Sequence, residues 1–260
     1  MGRIRNIKKK YLELELSEAI DYEKFSMISI IYNSTKIEGC SLTENDTKLL
    51  LENDITAKGK PLVDHLMVKD HFSAFLFLRD IAKKKQKISI NLIQQVAGLV
   101  MKNTGGIVNT MSGTFDTSLG DLRKAQVYVD RKYFPNFSKV ENLLINLIDS
   151  VNKRIDIVSG NETLKLSADT HYNLVNIYPF GDGNGRTSRL MMNYIQMYHK
   201  EPLIKIFTED RAEYIDALNN TEKLEDISIF RDFICQQQIK FYKAEIDKFE
   251  RKDKGFNLMF

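Results

Sequence analysis

Apolar residues return at three- and four-residue steps along most of this chain, and that period leaves little to fold into except packed helices. Phe25, Ile28 and Tyr32 set the pattern, then Phe72, Phe75 and Leu76, then Ile93, Val96, Ala97 and Val100. Val140, Leu143, Leu144, Leu147 and Val151 continue it, with Ser138 and Glu141 spaced as a capping box at the start of that helix. Only four prolines stand in 260 residues, so helices meet few interruptions. Phe230, Phe233, Ile234 and Phe241 keep the period near the C-terminus, whereas Arg251 to Phe260 lose it and are expected to fray.

One segment departs from this rule. Residues 103–122 hold Gly105, Gly106, Gly113 and Gly120 among polar neighbours and carry no helical period. Gln126-Val127-Tyr128-Val129 then alternates polar and apolar, and Tyr133-Phe134 follows Asp130-Arg131-Lys132, which reads as one short β-hairpin. The expectation is an all-α domain with a single hairpin, and a hydrophobic content of 43% suffices for its core. The net charge of +3, from 38 basic and 35 acidic residues, gives no reason to expect nucleic acid as a partner. Lys8, Lys9 and Lys10, with Arg3 and Arg5, read as a solvated basic tail. Cys40 and Cys235 lie far apart with no metal-ligand spacing and read as reduced thiols. No apolar run nears the ~18 residues of a membrane span, and no signal-peptide core is visible, so a cytoplasmic protein is expected.

The densest chemistry lies in Ile177-Tyr178-Pro179-Phe180-Gly181-Asp182-Gly183-Asn184-Gly185-Arg186-Thr187-Ser188-Arg189, immediately before the helical run of Leu190, Met191, Tyr194 and Ile195. Glycines ahead of a helix allow a sharp turn and expose N–H groups, and the helix N-terminus carries about half a positive charge. Arg186 and Arg189 add planar forks suited to phosphate oxygens. Asp182 fits such a pocket through a cation, since Mg²⁺ binds one or two carboxylates together with substrate phosphates. The residues describe a pocket for a Mg²⁺-bound polyphosphate.

This run resembles the signature of the Fic family, His-Pro-Phe-x-(Asp/Glu)-Gly-Asn-Gly-Arg-x-x-Arg, at every fixed position except the first, where Tyr178 stands for histidine. The resemblance implies a Fic-type helical fold and transfer of AMP from Mg-ATP to a protein hydroxyl, with ATP and Mg²⁺ as cofactors. It places Tyr178 in the general-base position, Asp182 at the metal, and Gly183, Asn184, Gly185, Arg186 and Arg189 on the phosphates. Ser34-Thr35-Lys36-Ile37-Glu38-Gly39 matches a second family pattern, (Ser/Thr)-x-x-x-Glu-(Gly/Asn), which marks an inhibitory helix whose glutamate pairs with the second signature arginine. Ser34 and Glu38 are thereby inhibitory residues, and Glu38 alone would otherwise read as the residue before a helix-ending glycine. The hairpin at about 124–134 takes the place of the family's flap, with Gly120-Asp121-Leu122-Arg123 and Phe134-Pro135 resembling the flanking pattern, and would dock an extended segment of a target protein. The implied organisation is an N-terminal helical region with the inhibitory helix over 1–95, a core domain over 96–240, and a helix end and tail over 241–260. A homodimer stays open.

Tyrosine at position 178 changes the chemistry. A free phenol has a pKa of ~10, so about one in a thousand is ionised at pH 7, and loss of a general base costs ~10²–10⁴ in rate. Two arginines, Mg²⁺ and a helix N-terminus are expected to push this phenol toward ionisation. Three readings remain: an adenylyltransferase with a degenerate base, a nucleotide-binding pseudoenzyme switched by Glu38, and an interaction domain working through the flap. His171, two turns before Tyr178 and so about 10 Å from it along the axis, reads as a core histidine. His65, His71 and His199 have no chemical company in the sequence, and Arg211 and Tyr214 resemble a family stretch beside the adenine pocket.

Overall fold

The computed structural model describes residues 2–14, 22–129 and 132–256. The chain order is α1 (Gly2–Glu13), α2 (Tyr22–Ile37), α3 (Glu44–Asn53), α4 (Leu62–Lys83), α5 (Ile90–Val100), β1 (Ile107–Thr110) and β2 (Gly113–Asp116). It continues through β3 (Tyr128–Val129), β4 (Lys132–Tyr133), α6 (Phe137–Arg154), α7 (Asn161–Ile177), α8 (Asn184–Tyr198), α9 (Arg211–Leu224) and α10 (Ile227–Phe256).

Helix α8 runs through the middle of the molecule, packed by α7, α4, α5 and α2. A helix in that place must be apolar all round or have its polar groups satisfied. Leu190, Met191, Met192, Tyr194 and Ile195 supply the apolar surface and are fully buried. Two buried amides on the same helix are paired. Asn193 donates to the Ile204 carbonyl (2.9 Å) and accepts from its N–H (2.8 Å), and Gln196 donates to the Ser167 hydroxyl (2.8 Å). At the other side of the core, Arg231 of α10 forks onto Asp169 of α7 (2.6 and 2.7 Å), which ties the two helices together.

The expected helical fold is present, and four of its details differ from expectation. The described residues hold two antiparallel hairpins, because the glycine-rich segment also pairs, with Ile107 opposite Asp116 and Val108 opposite Phe115. Its strands are four residues long and bury only Phe115, so no period-two pattern betrays them. The hydroxyl of Thr110 lies between the carbonyls of Gly113 (2.7 Å) and Lys124 (2.9 Å), joining this hairpin to the base of the flap. Helix α6 is capped by Asn136, whose Oδ1 accepts the Ser138 N–H (3.0 Å), so Ser138 lies inside the helix rather than at its cap. The basic N-terminus is a helix and no loose tail: Ile4 and Tyr11 are buried against α10, Lys8 pairs with Glu201, and Lys10 pairs with Glu250 (2.7 Å). Helix α10 continues past Arg251 to Phe256. The flap tip, Asp130 and Arg131, and the last four residues of the tail lie outside the described residues. Among the described residues no helix is long and apolar enough to cross a membrane.

Candidate functional site

Helix α7 ends at Ile177, and Tyr178 turns the chain with left-handed dihedrals (φ 51°, ψ 59°). That conformation is uncommon outside glycine, so the surroundings must hold it. Arg123 does this. Its guanidinium is fully buried and donates to three carbonyls, those of Tyr178 (2.7 Å), Ala125 (2.6 Å) and Pro135 (2.6 Å), while its N–H donates to the Pro179 carbonyl (3.0 Å). One side chain therefore joins the loop after α7 to both ends of the flap. The Tyr178 ring rests on Phe134 with centroids 4.1 Å apart.

The loop then closes on itself. Asn184 accepts the Phe180 N–H (3.0 Å) and donates to the Phe180 carbonyl (2.9 Å). Its amide is spent on loop shape, so in this arrangement Asn184 supports the cradle and contributes its backbone N–H to it. Gly183 enters α8 at φ 76°, where a side chain would be strained and would also press on Met101 at 3.0 Å. The first N–H groups of α8 have no partner within the helix. They point out of an N-terminus that attracts anions.

Two buried arginines flank this N-terminus. Arg186 donates to the Val100 carbonyl (3.1 Å) and to Met101 Sδ (3.0 Å), while its buried Nε has no hydrogen-bond partner. Arg189 donates to the Ser34 hydroxyl and carbonyl (both 2.9 Å) and to Glu38 Oε1 (2.5 Å). Ser34 and Glu38 belong to the end of α2, so the structure brings together the two sequence patterns, 151 residues apart. Arg211 donates to the Ile37 carbonyl (2.8 Å), so two guanidiniums sit on the C-terminal carbonyls of α2, where cations oppose the helix dipole favourably. This is the position of Arg211, and its partner Tyr214 is buried behind Arg189 with its hydroxyl 2.8 Å from His171 Nε2. His171 is fully buried, and burial pulls its pKa down to about 3, ahead of the repulsion from Arg189. It is a neutral core histidine. His65 has partners after all: its Nε2 accepts the Ala57 N–H (2.9 Å) and its Nδ1 meets the Pro61 carbonyl (2.9 Å), a local link between α4 and the loop before it.

Burial by itself would raise the pKa of Glu38, but Arg189, and beyond it Arg186 and Arg211, outweigh this and hold it below the ordinary carboxylate value. The ion pair is therefore at full strength above that ordinary value and is lost as pH falls through the lowered one. Glycine at 185 is a condition of the contact, since a Cβ there would lie 2.4 Å from Glu38 Oε1 and 3.1 Å from Arg189 Nη1. Gly185→Ala is expected to push the carboxylate off Arg189 while the fold survives, alanine being the better helix former by about 0.8–1 kcal/mol. A carboxyl-carbon NMR titration should show the Glu38 midpoint rising toward the ordinary carboxylate range in the variant; an unmoved midpoint would mean the backbone yields instead.

Tyr178 corrects an expectation. Its pKa is raised, first by burial and then by the carboxylates of Asp182 and Glu38, against weaker opposing effects from Asn184 and Arg123. The signature arginines are engaged elsewhere and do not ionise this phenol, so it is a poorer proton acceptor than a free tyrosine. Asp182 is exposed at the mouth of the cradle, with one oxygen on the Gly183 N–H (2.5 Å) and the other free of protein partners. Among the described residues no group of three metal-ligating side chains exists, and a lone oxygen donor beside an anion-attracting helix N-terminus suits a cation whose remaining ligands come from a substrate. A cavity of about 430 Å³ opens beside Asp182, walled by Ile107, Val108 and Phe115 of the first hairpin and Val127 of the flap. The first hairpin thus borders the site. No sequence pattern marks it, and Arg123 stands out in the sequence only as the end of Gly120-Asp121-Leu122-Arg123.

Residues 87–196 match the Fic/DOC family model. The chain is 30% identical to protein adenylyltransferase fic-1 of Caenorhabditis briggsae over 209 residues, 79% of this chain and 38% of that protein. It is 30% identical to protein adenylyltransferase Fic of Aedes aegypti over 214 residues, 82% of this chain and 40% of that protein. The chain thus spans about two-fifths of the length of these relatives. Among solved structures, a Fic domain containing signaling protein from Bacteroides thetaiotaomicron superimposes with a TM-score of 0.77 at 22% identity, covering 94% of this chain and 96% of that one. Fic-1 of Caenorhabditis elegans superimposes with a TM-score of 0.75 at 24% identity, covering 95% and 70%. At these identities the superpositions establish the fold.

Proposed function

From the Fic/DOC family domain that this chain carries at residues 87–196, we propose that it is a protein adenylyltransferase held in check by its own α2, with a weakened general base. The observation that carries this reading is the Arg189 fork, which holds Ser34 through Nε and Nη2 and Glu38 Oε1 through Nη2. Such a fork takes a carboxylate or a phosphate with the same geometry, so the two compete. In the open state Arg189 would receive the terminal phosphate of ATP. Arg186, with a buried Nε in need of an acceptor, and the first amides of α8 would receive the inner ones. Asp182 would hold Mg²⁺, which supplies charge neutralisation on the phosphates.

An acceptor hydroxyl oxygen then bonds to the α-phosphorus, the bond from that phosphorus to the β-phosphate oxygen breaks, and pyrophosphate leaves with the electron pair. The hydroxyl proton needs an acceptor at position 178, and the raised phenol of Tyr178 is a poor one. Positioning and electrostatics carry much of such a transfer, so slow chemistry survives the loss. The acceptor belongs to a protein segment lying along the flap, where Tyr128 and Tyr133 stand exposed with rings 5.9 Å apart. A second reading, a nucleotide-binding pseudoenzyme, draws on the same raised phenol.

Both readings require nucleotide binding. Calorimetry of Glu38→Gly with Mg-ATP is expected to show saturable binding that Arg186→Ala together with Arg189→Ala abolishes. Undetectable binding with and without the two arginines would remove the nucleotide site altogether.

A further inference from the structure

We infer that Asp70, on α4 and far from the signature in sequence, is the positioning residue for Arg186 of the proposed phosphate cradle. The inference rests on the nucleotide reading for its consequence but on geometry for its substance. Asp70 is only 2% exposed, and both of its oxygens are used on one residue: Oδ2 accepts the Asn103 N–H (2.8 Å) and Oδ1 accepts the Asn103 amide (2.5 Å). Asn103 lies in the tight turn that ends α5, where the N–H groups of Thr104 (3.2 Å) and Gly105 (2.6 Å) both close on the Met101 carbonyl. The end of α5 and the start of that turn supply the hydrogen-bond acceptors of the Arg186 guanidinium, the Val100 carbonyl and Met101 Sδ. Asp70 therefore pins the far end of the turn whose near end carries the arginine.

Charge strengthens the link. A carboxylate buried this deeply is costly unless a cation answers it. The turn uses both carboxylate oxygens as acceptors, where an asparagine would offer one. Burial raises the Asp70 pKa, opposed first by the Asn103 hydrogen bonds and then by the attraction of Arg186, while Asp182 and Glu38 attract Arg186 more strongly than Asp70 does. His71, the next residue, cannot take this part, being fully buried and held neutral by burial and by the two signature arginines. Lys102 is exposed at the end of the turn and adds a weaker attraction. Asp70 thus acts on Arg186 chiefly through the turn, with a minor attraction and no direct hydrogen bond, which leaves the guanidinium edge with Nε to a ligand.

The test follows the Arg186 Nε–H signal in arginine-labelled protein by NMR, assigned with Arg186→Lys, and uses Arg189 as an internal reference. Asp70→Ala is expected to speed solvent exchange at Arg186 Nε at least tenfold and leave Arg189 unchanged. Asp70→Asn, which keeps one acceptor for the turn, should recover part of the loss. In the Glu38→Gly background the same Asp70→Ala change should weaken Mg-ATP binding about tenfold, the scale of one charge-assisted hydrogen bond lost. Exchange at Arg186 that does not change, or that rises equally at Arg189, would overturn the inference, the second outcome meaning general loosening. A mobilised Arg186 in a protein that binds no Mg-ATP even with Asp70 intact would uphold the positioning role and overturn the nucleotide reading instead.

Discussion

In a Glu38→Gly background, Tyr178→His is expected to raise transfer of labelled AMP to protein by up to about 10²–10⁴-fold, the usual worth of a general base. Imidazole titrates near neutrality and accepts a proton where a raised phenol does not. The loop is prepared for the change. Residue 178 sits at φ 51°, a region where histidine is several-fold enriched over most residues, and its carbonyl is already held by Arg123. The new ring would stack on Phe134 in place of the phenol. Proteins carrying Tyr, His and Phe at 178 separate the readings. A gain with histidine and equal activity of Tyr and Phe would identify a transferase that lacks only its base. A large loss with phenylalanine and no gain with histidine would make the tyrosine hydroxyl itself a participant. No incorporation in any of the three would favour the pseudoenzyme.

The second large effect concerns Arg123. Arg123→Met keeps the volume of the side chain but removes three donors from the carbonyls of Ala125, Pro135 and Tyr178. Each carbonyl left dry and unpaired costs ~1–3 kcal/mol, so a loss of about 3 kcal/mol or more in unfolding free energy is expected. For a chain of this size that is roughly 5–10 °C in melting temperature. Calorimetric unfolding would measure it, and hydrogen exchange should show the flap and residues 178–181 losing protection first. A variant that melts with the parent, or loosens far from the flap, would mean that other contacts hold the loop.

The two hairpins show where reading a sequence succeeds and stops. The flap was legible because Gln126 to Val129 alternates and a polar turn follows. The hairpin of Ile107–Thr110 with Gly113–Asp116 was not, since one buried side chain in eight leaves no pattern to see. Its order comes from contacts outside itself, Phe115 packed under Gly181 and Thr110 tied to Lys124. Similar reasoning covers the cap of α6, where Ser138 and Glu141 offered a familiar spacing but Asn136 reached the free amide first.

The site divides in the same way. Its groups were readable one by one, because glycines before a helix, a carboxylate among them and two arginines at a one-turn spacing are local chemistry. The period of the core helices was local too, and with four prolines in the chain it left an α-helical fold as the outcome. What those groups do to one another is a matter of distance across the chain. Only folding places Glu38 on Arg189 and leaves Gly185 no room for a side chain. Only folding sets Asp182 and Glu38, rather than the arginines, beside Tyr178, so that the phenol is pushed away from ionisation and not toward it. Covalent neighbours decide which groups a segment can offer, whereas pKa values, pairings and access depend on burial and on charges contributed by helices remote in sequence.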